Sequence, residues 1–163
     1  MPQTSTRQAA GFDQFRLHKT LLRGVSAAGF DSLRPIQAAT IPAGLAGDDV
    51  LGLAQTGTGK TAAFALPLLH RILKERRRGP RALVLAPTRE LATQIDQEIK
   101  SLARFTQLKT VTIYGGVSAS GQVRSLRRGA EIVVGCPGRV LDLLQQGLLD
   151  LGGIETLVLD EAD

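Results

Sequence analysis

The residues with the clearest chemical purpose are Ala54-Gln55-Thr56-Gly57-Thr58-Gly59-Lys60-Thr61. An apolar run, Val50–Ala54, precedes them and a segment with helical spacing, Ala62–Leu73, follows. Strand, glycine-rich loop and helix in that order are the setting a phosphate-binding loop needs. Gly57 and Gly59 permit a tight curl in which successive backbone N–H groups turn toward phosphate oxygens. The helix that follows adds the positive end of its dipole. Lys60 has the reach for terminal phosphates, and the Thr61 hydroxyl is a ligand for Mg²⁺. The general pattern opens on Gly, where this chain has Ala54.

One hundred positions after Lys60 stands Asp160, at the end of the apolar run Leu157–Asp160, with Glu161 next to it. An acid at the C-terminal end of a buried parallel strand points into the crevice where such sheets bind ligands. Asp160 is placed to hold Mg²⁺, and Glu161 to orient or deprotonate an attacking water. Two adjacent acids alone would read as a solvated turn. The apolar run before them and the phosphate loop upstream reverse that reading.

These groups need a scaffold, and the rest of the chain spells one out. Short apolar runs recur at Val50–Ala54, Ala82–Ala86, Val111–Tyr114, Ile132–Gly135 and Leu157–Asp160. Each is four or five residues long, as suits strands buried on both faces. Helical spacing fills the intervals at Ala62–Leu73, Glu90–Ala103, Ala119–Arg128 and Arg139–Gln146, and two further helices are expected at Asp13–Ala28 and Pro35–Leu45. Strands alternating with helices predict an α/β domain with a mostly parallel sheet and helices on both faces. Pro67 is expected to kink or end its helix.

At 163 residues, 43% hydrophobic and 21% charged, the chain has the composition of one globular domain. No apolar run approaches the ~18 residues of a membrane span. The single cysteine, Cys136, excludes an internal disulfide framework and fits a reducing, cytoplasmic setting. The formal charge of +5 favours a polyanionic partner. The densest basic stretch, Arg71–Arg81, reads as a solvated loop after a helix. Aromatic residues are only 4%, with no Trp, so nucleic acid would be gripped by its backbone rather than by base stacking.

The last four residues are Asp160-Glu161-Ala162-Asp163, and with the phosphate loop they resemble the DEAD-box family of ATP-dependent RNA helicases. Gly29-Phe-Asp-Ser-Leu-Arg-Pro-Ile-Gln37 resembles that family's Q motif, and Phe12 lies where the family has an isolated upstream aromatic. The resemblance implies a P-loop RecA-like domain in which Gln37 hydrogen-bonds the adenine edge, backed by Phe12 and Phe30, so that ATP is preferred to GTP. Pro87-Thr88-Arg89-Glu90-Leu91 resembles motif Ia, Gly115-Gly116 a glycine pair of the same surface, and Cys136-Pro137-Gly138-Arg139 motif Ib. In the family these loops hold the sugar-phosphate backbone of RNA, which implies RNA contacts at Pro87, Thr88, Arg89, Gly115, Gly116, Pro137, Gly138 and Arg139.

There are departures. Leu33 and Arg34 replace the usual Pro and Thr of the Q motif, and Cys136 replaces the usual Thr of motif Ib, which removes a hydroxyl. The wording around the phosphate loop resembles bacterial members, of the RhlE type. The implied organisation is a flexible N-terminus over 1–10, a Q-motif region over 11–46 and part of a RecA-like domain over 47–163. The resemblance also implies a Ser-Ala-Thr motif and a second RecA-like domain beyond residue 163. A piece ending there is expected to fold poorly and to be inactive alone, because the Ser-Ala-Thr strand belongs between the phosphate-loop strand and the acid-bearing strand. Two rivals remain: a DNA-directed helicase or translocase of superfamily 2, and a module that binds ATP or RNA without hydrolysis.

Overall fold

The computed structural model describes residues 11–162. The expectations for residues 1–10 and for Asp163 lie outside the described residues. The chain divides into two compact units, one running to Leu73 and including Ser101–Thr106, the other comprising Lys74–Lys100 and Gln107 onward.

The first unit is helical. A single 3-10 turn at Phe12–Phe15 precedes α1 (Lys19–Ala27), α2 (Pro35–Ala46) and α3 (Lys60–Lys74, whose last residue belongs to the second unit). The helix expected over Asp13–Ala28 is therefore broken, because Arg16 sits in the left-handed region at φ 52°. Gly24 of α1 lies directly against backbone of the same unit: a Cβ there would be 1.9 Å from the Leu102 carbonyl oxygen. Nearby, the Arg23 guanidinium stacks 4.2 Å from the centre of the Phe105 ring, a cation–π contact. Helix α2 starts on Pro35, where a missing N–H costs nothing, and ends at Gly47 with φ 90°.

A further expectation fails in this unit, and so does one of the two alternatives expected at Pro67. Pro67 does not end its helix, since α3 continues to Lys74. The proline ring is buried against Gly44 of α2, where even a methyl group would come within 2.9 Å of its Cγ. That packing offsets the loss of one helical hydrogen bond. Val50–Ala54, equally apolar by sequence, forms no strand, and Leu51 and Leu53 stand 89% and 88% exposed. A strand exists only where a neighbour takes its backbone hydrogen bonds, and among the described residues none pairs with this one.

The second unit is the α/β part. Its strands β1 (Ala82–Leu85), β2 (Thr110–Ile113), β3 (Ile132–Gly135) and β4 (Thr156–Leu159) form one parallel sheet in the order β2-β3-β1-β4. Helices α4 (Arg89–Leu102, its last two residues in the first unit), α5 (Ser120–Arg127) and α6 (Pro137–Gln145) connect them. Leu83, Val111 and Val133 share one sheet face and pack with Val140 and Leu143 of α6, while Val123 and Leu126 of α5 lean on the same cluster. Thr110 points to the opposite face, where its hydroxyl donates to Asp96 of α4. Helices thus cover both faces, which is why β1 and β3 read as continuous apolar runs. Gly135 ends β3 because a Cβ would press on Ile113 and Val140, at 2.8 Å and 2.7 Å.

The basic stretch Arg71–Arg81 is not uniformly solvated, contrary to expectation. Arg81 is 2% exposed. Its guanidinium donates to both carboxylate oxygens of Glu155, each at 3.0 Å, and to the carbonyl of Glu75. This pair ties the start of β1 to the start of β4. Lys74, Arg76, Arg77 and Arg78 are exposed, and pairing with Glu75 pushes the Arg77 pKa further up.

Candidate nucleotide and nucleic-acid sites

Around the phosphate loop, local chemistry holds the backbone in shape. Gly57 and Gly59 sit at φ 79° and 88°, conformations that glycine alone adopts without strain. The Thr58 hydroxyl donates to the Gln55 carbonyl at 2.6 Å, closing the turn. Lys60 and Thr61 open α3, and the Gly59 carbonyl accepts the first helical bond from Ala63 N–H at 3.2 Å. Gln55, Thr56 and Gly57 are exposed, while Ala54, Thr58, Gly59, Lys60 and Thr61 are half-buried. The early N–H groups of a helix are available to an anion at this end.

The Q-motif residues clasp this loop. Gln37 is fully buried. Its Oε1 accepts from the Arg34 N–H at 2.9 Å, and its Nε2 donates to the Gly59 carbonyl at 3.3 Å. Both ends of the amide are therefore engaged within the protein. Arg34 adds a second tie, its guanidinium donating to the Gly57 carbonyl at 2.6 Å. Arg34 stands where the family pattern has Thr, and its length is what lets it reach the loop. Phe12 is fully buried and meets Phe30 edge-to-face, with ring centres 6.1 Å apart. Phe15, which the sequence did not single out, contacts Phe12 in the same manner at 6.3 Å.

In the second unit the in-register parallel strands send all their following loops off one edge of the sheet. Pro87, Thr88 and Arg89 follow β1, Gly115 and Gly116 follow β2, and Pro137, Gly138 and Arg139 follow β3. The Thr88 hydroxyl accepts from the Leu91 N–H at 3.2 Å and so caps α4. Gly116, at φ 80°, lies beside the Arg89 guanidinium. Arg139 donates through both terminal nitrogens to the Val117 carbonyl at 3.2 Å and pairs with Asp142 at 3.6 Å. Cys136 precedes α6 without a side-chain cap bond, the consequence of lacking a hydroxyl there. Burial, with a smaller contribution from the Glu90 charge, pushes its thiol pKa up.

Asp160 leaves β4 on the same edge, its N–H bonded to the Leu85 carbonyl at 3.0 Å. Glu161 is exposed and has φ 51°. Such a conformation in a non-glycine residue costs about 1–2 kcal/mol, and strained backbone of this kind concentrates at functional sites. The phosphate loop and the acidic pair belong to separate units.

The parallel sheet and its connecting helices make this an α/β protein. The DEAD/DEAH box helicase family matches the chain over residues 34–163, and the chain belongs to that family. It is 47% identical to the ATP-dependent RNA helicase CshA of Listeria monocytogenes, over 93% of this chain and 29% of that protein. It is 51% identical to the ATP-dependent RNA helicase DeaD of Mycobacterium tuberculosis, over 95% of this chain and 28% of that protein. With the DEAD-box ATP-dependent RNA helicase CshA of Bacillus subtilis the identity is 44%, over 93% and 31%. The chain thus spans under a third of the length of these relatives. Among the described residues, no helix is long and apolar enough to cross a membrane.

Proposed function

We propose that this chain supplies the ATP-binding half, and part of the RNA-binding surface, of an ATP-dependent RNA helicase. The observation that carries the reading is the clasp of Gln37 and Arg34 on the Gly57–Gly59 backbone. A buried glutamine bonded to a phosphate loop puts an adenine-reading group and a phosphate-reading group on one local frame. Lys60 would bind the outer phosphates, with the Ala54–Thr61 amides around them. Phe12 and Phe30 would hold the Q-motif turn in place against the base.

The donor set suits Mg²⁺, which takes few protein oxygens and leaves the remainder to phosphate and water. Among the described residues no cluster of three or more His, Cys, Asp or Glu competes as a dedicated metal cage. Thr61 and Asp160 are the residues that would hold the ion, whose charge would stabilise the phosphoryl group in transit. Glu161, next to Asp160, would orient the attacking water and take its proton. Thr88, Arg89, Arg139 and the amides at Gly115, Gly116 and Gly138 would grip RNA phosphates, and Pro87 and Pro137 would set the direction of their loops. Little of this reads base identity, so sequence specificity would be low.

In the full-length protein, a second RecA-like domain would close on this surface when ATP and RNA are both bound, bending one RNA strand out of a duplex. Replacing Glu161 with Gln in the full-length protein should abolish phosphate release while leaving ATP binding intact. Surviving turnover would overturn the assignment of the base. Stimulation of the wild-type ATPase by duplex DNA as strongly as by RNA would favour a DNA translocase instead.

A further inference from the structure

The sheet has an open side that the nucleotide and RNA readings do not use. Strand β2 is one of the two outer strands of the sheet, paired with β3 alone. The Lys109 and Ile113 carbonyls accept bonds from Glu131, Ile132 and Cys136, so odd-numbered residues face β3 and the backbone of Thr110, Thr112 and Tyr114 faces outward. A cavity of about 280 Å³ runs along this edge, bounded by Thr110, Thr112, Tyr114, Gln122, Ser125 and Lys100 among others. Gln122 closes one end, its Nε2 donating to the outward Tyr114 carbonyl at 3.0 Å. Its Oε1 is buried without a hydrogen-bond partner, the one such side-chain atom found among the described residues.

We infer that this groove is a docking site for an extended, acidic peptide segment that adds to β2 as a fifth strand. Free donors and acceptors alternate along an outward sheet edge, and an extended peptide matches that alternation. An RNA backbone does not, because its phosphates bring acceptors against the outward carbonyls of Thr110 and Thr112. The rim selects the charge. Gly121, Gln122 and Ser125 of α5 wall the groove, and helical spacing sets the exposed Arg124 and Arg128 beside them. Lys109 lies at the start of β2 with its ammonium on the Arg128 carbonyl at 3.1 Å. Acidic groups nearby are already engaged: Asp96 holds Lys100 at 2.6 Å and the Thr110 hydroxyl, and Glu131 accepts from the Lys109 N–H at 2.7 Å. Arg124 and Arg128 thus face outward as the excess charge. A donor entering at the Gln122 end would also satisfy its orphaned oxygen.

The test uses the full-length protein and a fluorescein-labelled ten-residue peptide alternating valine with glutamate. Saturable binding by fluorescence anisotropy is expected. It should weaken at least tenfold for Arg124→Glu/Arg128→Glu, and equally when alternate peptide amides facing the protein are N-methylated. The charge-reversed variant should retain its ATP affinity, which reports that it is folded. Thr112→Pro, which removes one outward N–H, should lose binding as well, but the doubly charge-reversed variant decides if that one does not fold. No saturable binding, or undiminished binding of the methylated peptide, overturns strand addition. A tenfold loss of oligouridylate binding in the charge-reversed variant with peptide binding unchanged would make the groove an RNA surface instead.

Discussion

Changing Gln37 to Glu separates the two bonds of its buried amide. The carboxylate still accepts from the Arg34 N–H but has no donor for the Gly59 carbonyl, which sits 3.3 Å from Nε2. Losing that bond and setting two acceptors against each other in a fully buried site costs about 1–3 kcal/mol. The cost reaches ATP only to the extent that the nucleotide needs the clasped loop. If it needs it fully, affinity falls by about 5- to 150-fold, at ~1.4 kcal/mol per decade. Titrating a fluorescent ATP analogue into full-length wild type and variant measures this directly. Gln37→Met, which keeps the shape and removes both bonds, should fall in the same range or below it. Running the titrations with the GTP analogue separates clasp from base reading. Adenine recognition predicts a narrower preference for ATP over GTP in both variants. An equal loss for the two nucleotides would leave the clasp standing and remove the base-reading role, and an ATP affinity within twofold of wild type would refute the coupling altogether.

Gly24→Ala forces a Cβ to 1.9 Å from the Leu102 carbonyl oxygen, so α1 must move. A loss of about 3 kcal/mol or more is expected, read as a lower denaturant midpoint. Glu155→Ala takes the carboxylate from the Arg81 guanidinium, which is 2% exposed and keeps its bond to the Glu75 carbonyl; with Glu155 itself 24% exposed, a loss of about 2 kcal/mol is expected, below the ~3–5 kcal/mol of a fully buried pair. Adding Arg81→Met to it should restore part of that stability, and a further full loss would refute the pairing argument. The Cys136 thiol, held up by burial and by the Glu90 charge, should react with iodoacetamide more slowly than a free thiol at pH 8. Glu90→Gln removes a charge that opposes the thiolate, so it lowers that pKa and should speed alkylation.

Four of the five expected strands stand within a residue of their places, because a strand buried on both faces needs a continuous apolar run whatever lies beside it. Val50–Ala54 satisfies the same pattern and forms no strand. Hydropathy records which side chains avoid water; it carries no record of which backbone will accept the ladder bonds. Pro67 leaves its helix unended for the opposite reason. Its local penalty was legible, but its contact with Gly44 is a meeting of two helices 23 positions apart. Arg81 looked like one more charge in a basic run, and only the pairing of β1 with β4 brings Glu155, 74 positions away, into reach.

The phosphate loop itself shows how far local information goes. With no strand before it, Gly57 and Gly59 still hold left-handed conformations, Thr58 still closes on Gln55, and Arg34 and Gln37 still grip the Gly57 and Gly59 carbonyls. The curl is therefore set by the glycines, one hydroxyl and the Q-motif turn. A preceding strand would fix where the loop sits in the domain but is not what bends it. Arg34 marks the limit of reading this from sequence. A Thr in its place would be too short to span to Gly57, so the residue that departs from the family pattern supplies the shortest side-chain bond from the Q-motif turn to the loop, at 2.6 Å. Substituting Arg34 with Thr should thus loosen the loop in this chain, although it restores the family's usual residue. Faster hydrogen exchange at Thr56–Gly59 in the full-length variant would be the sign of it, and unchanged exchange there would mean that Gln37 alone carries the clasp.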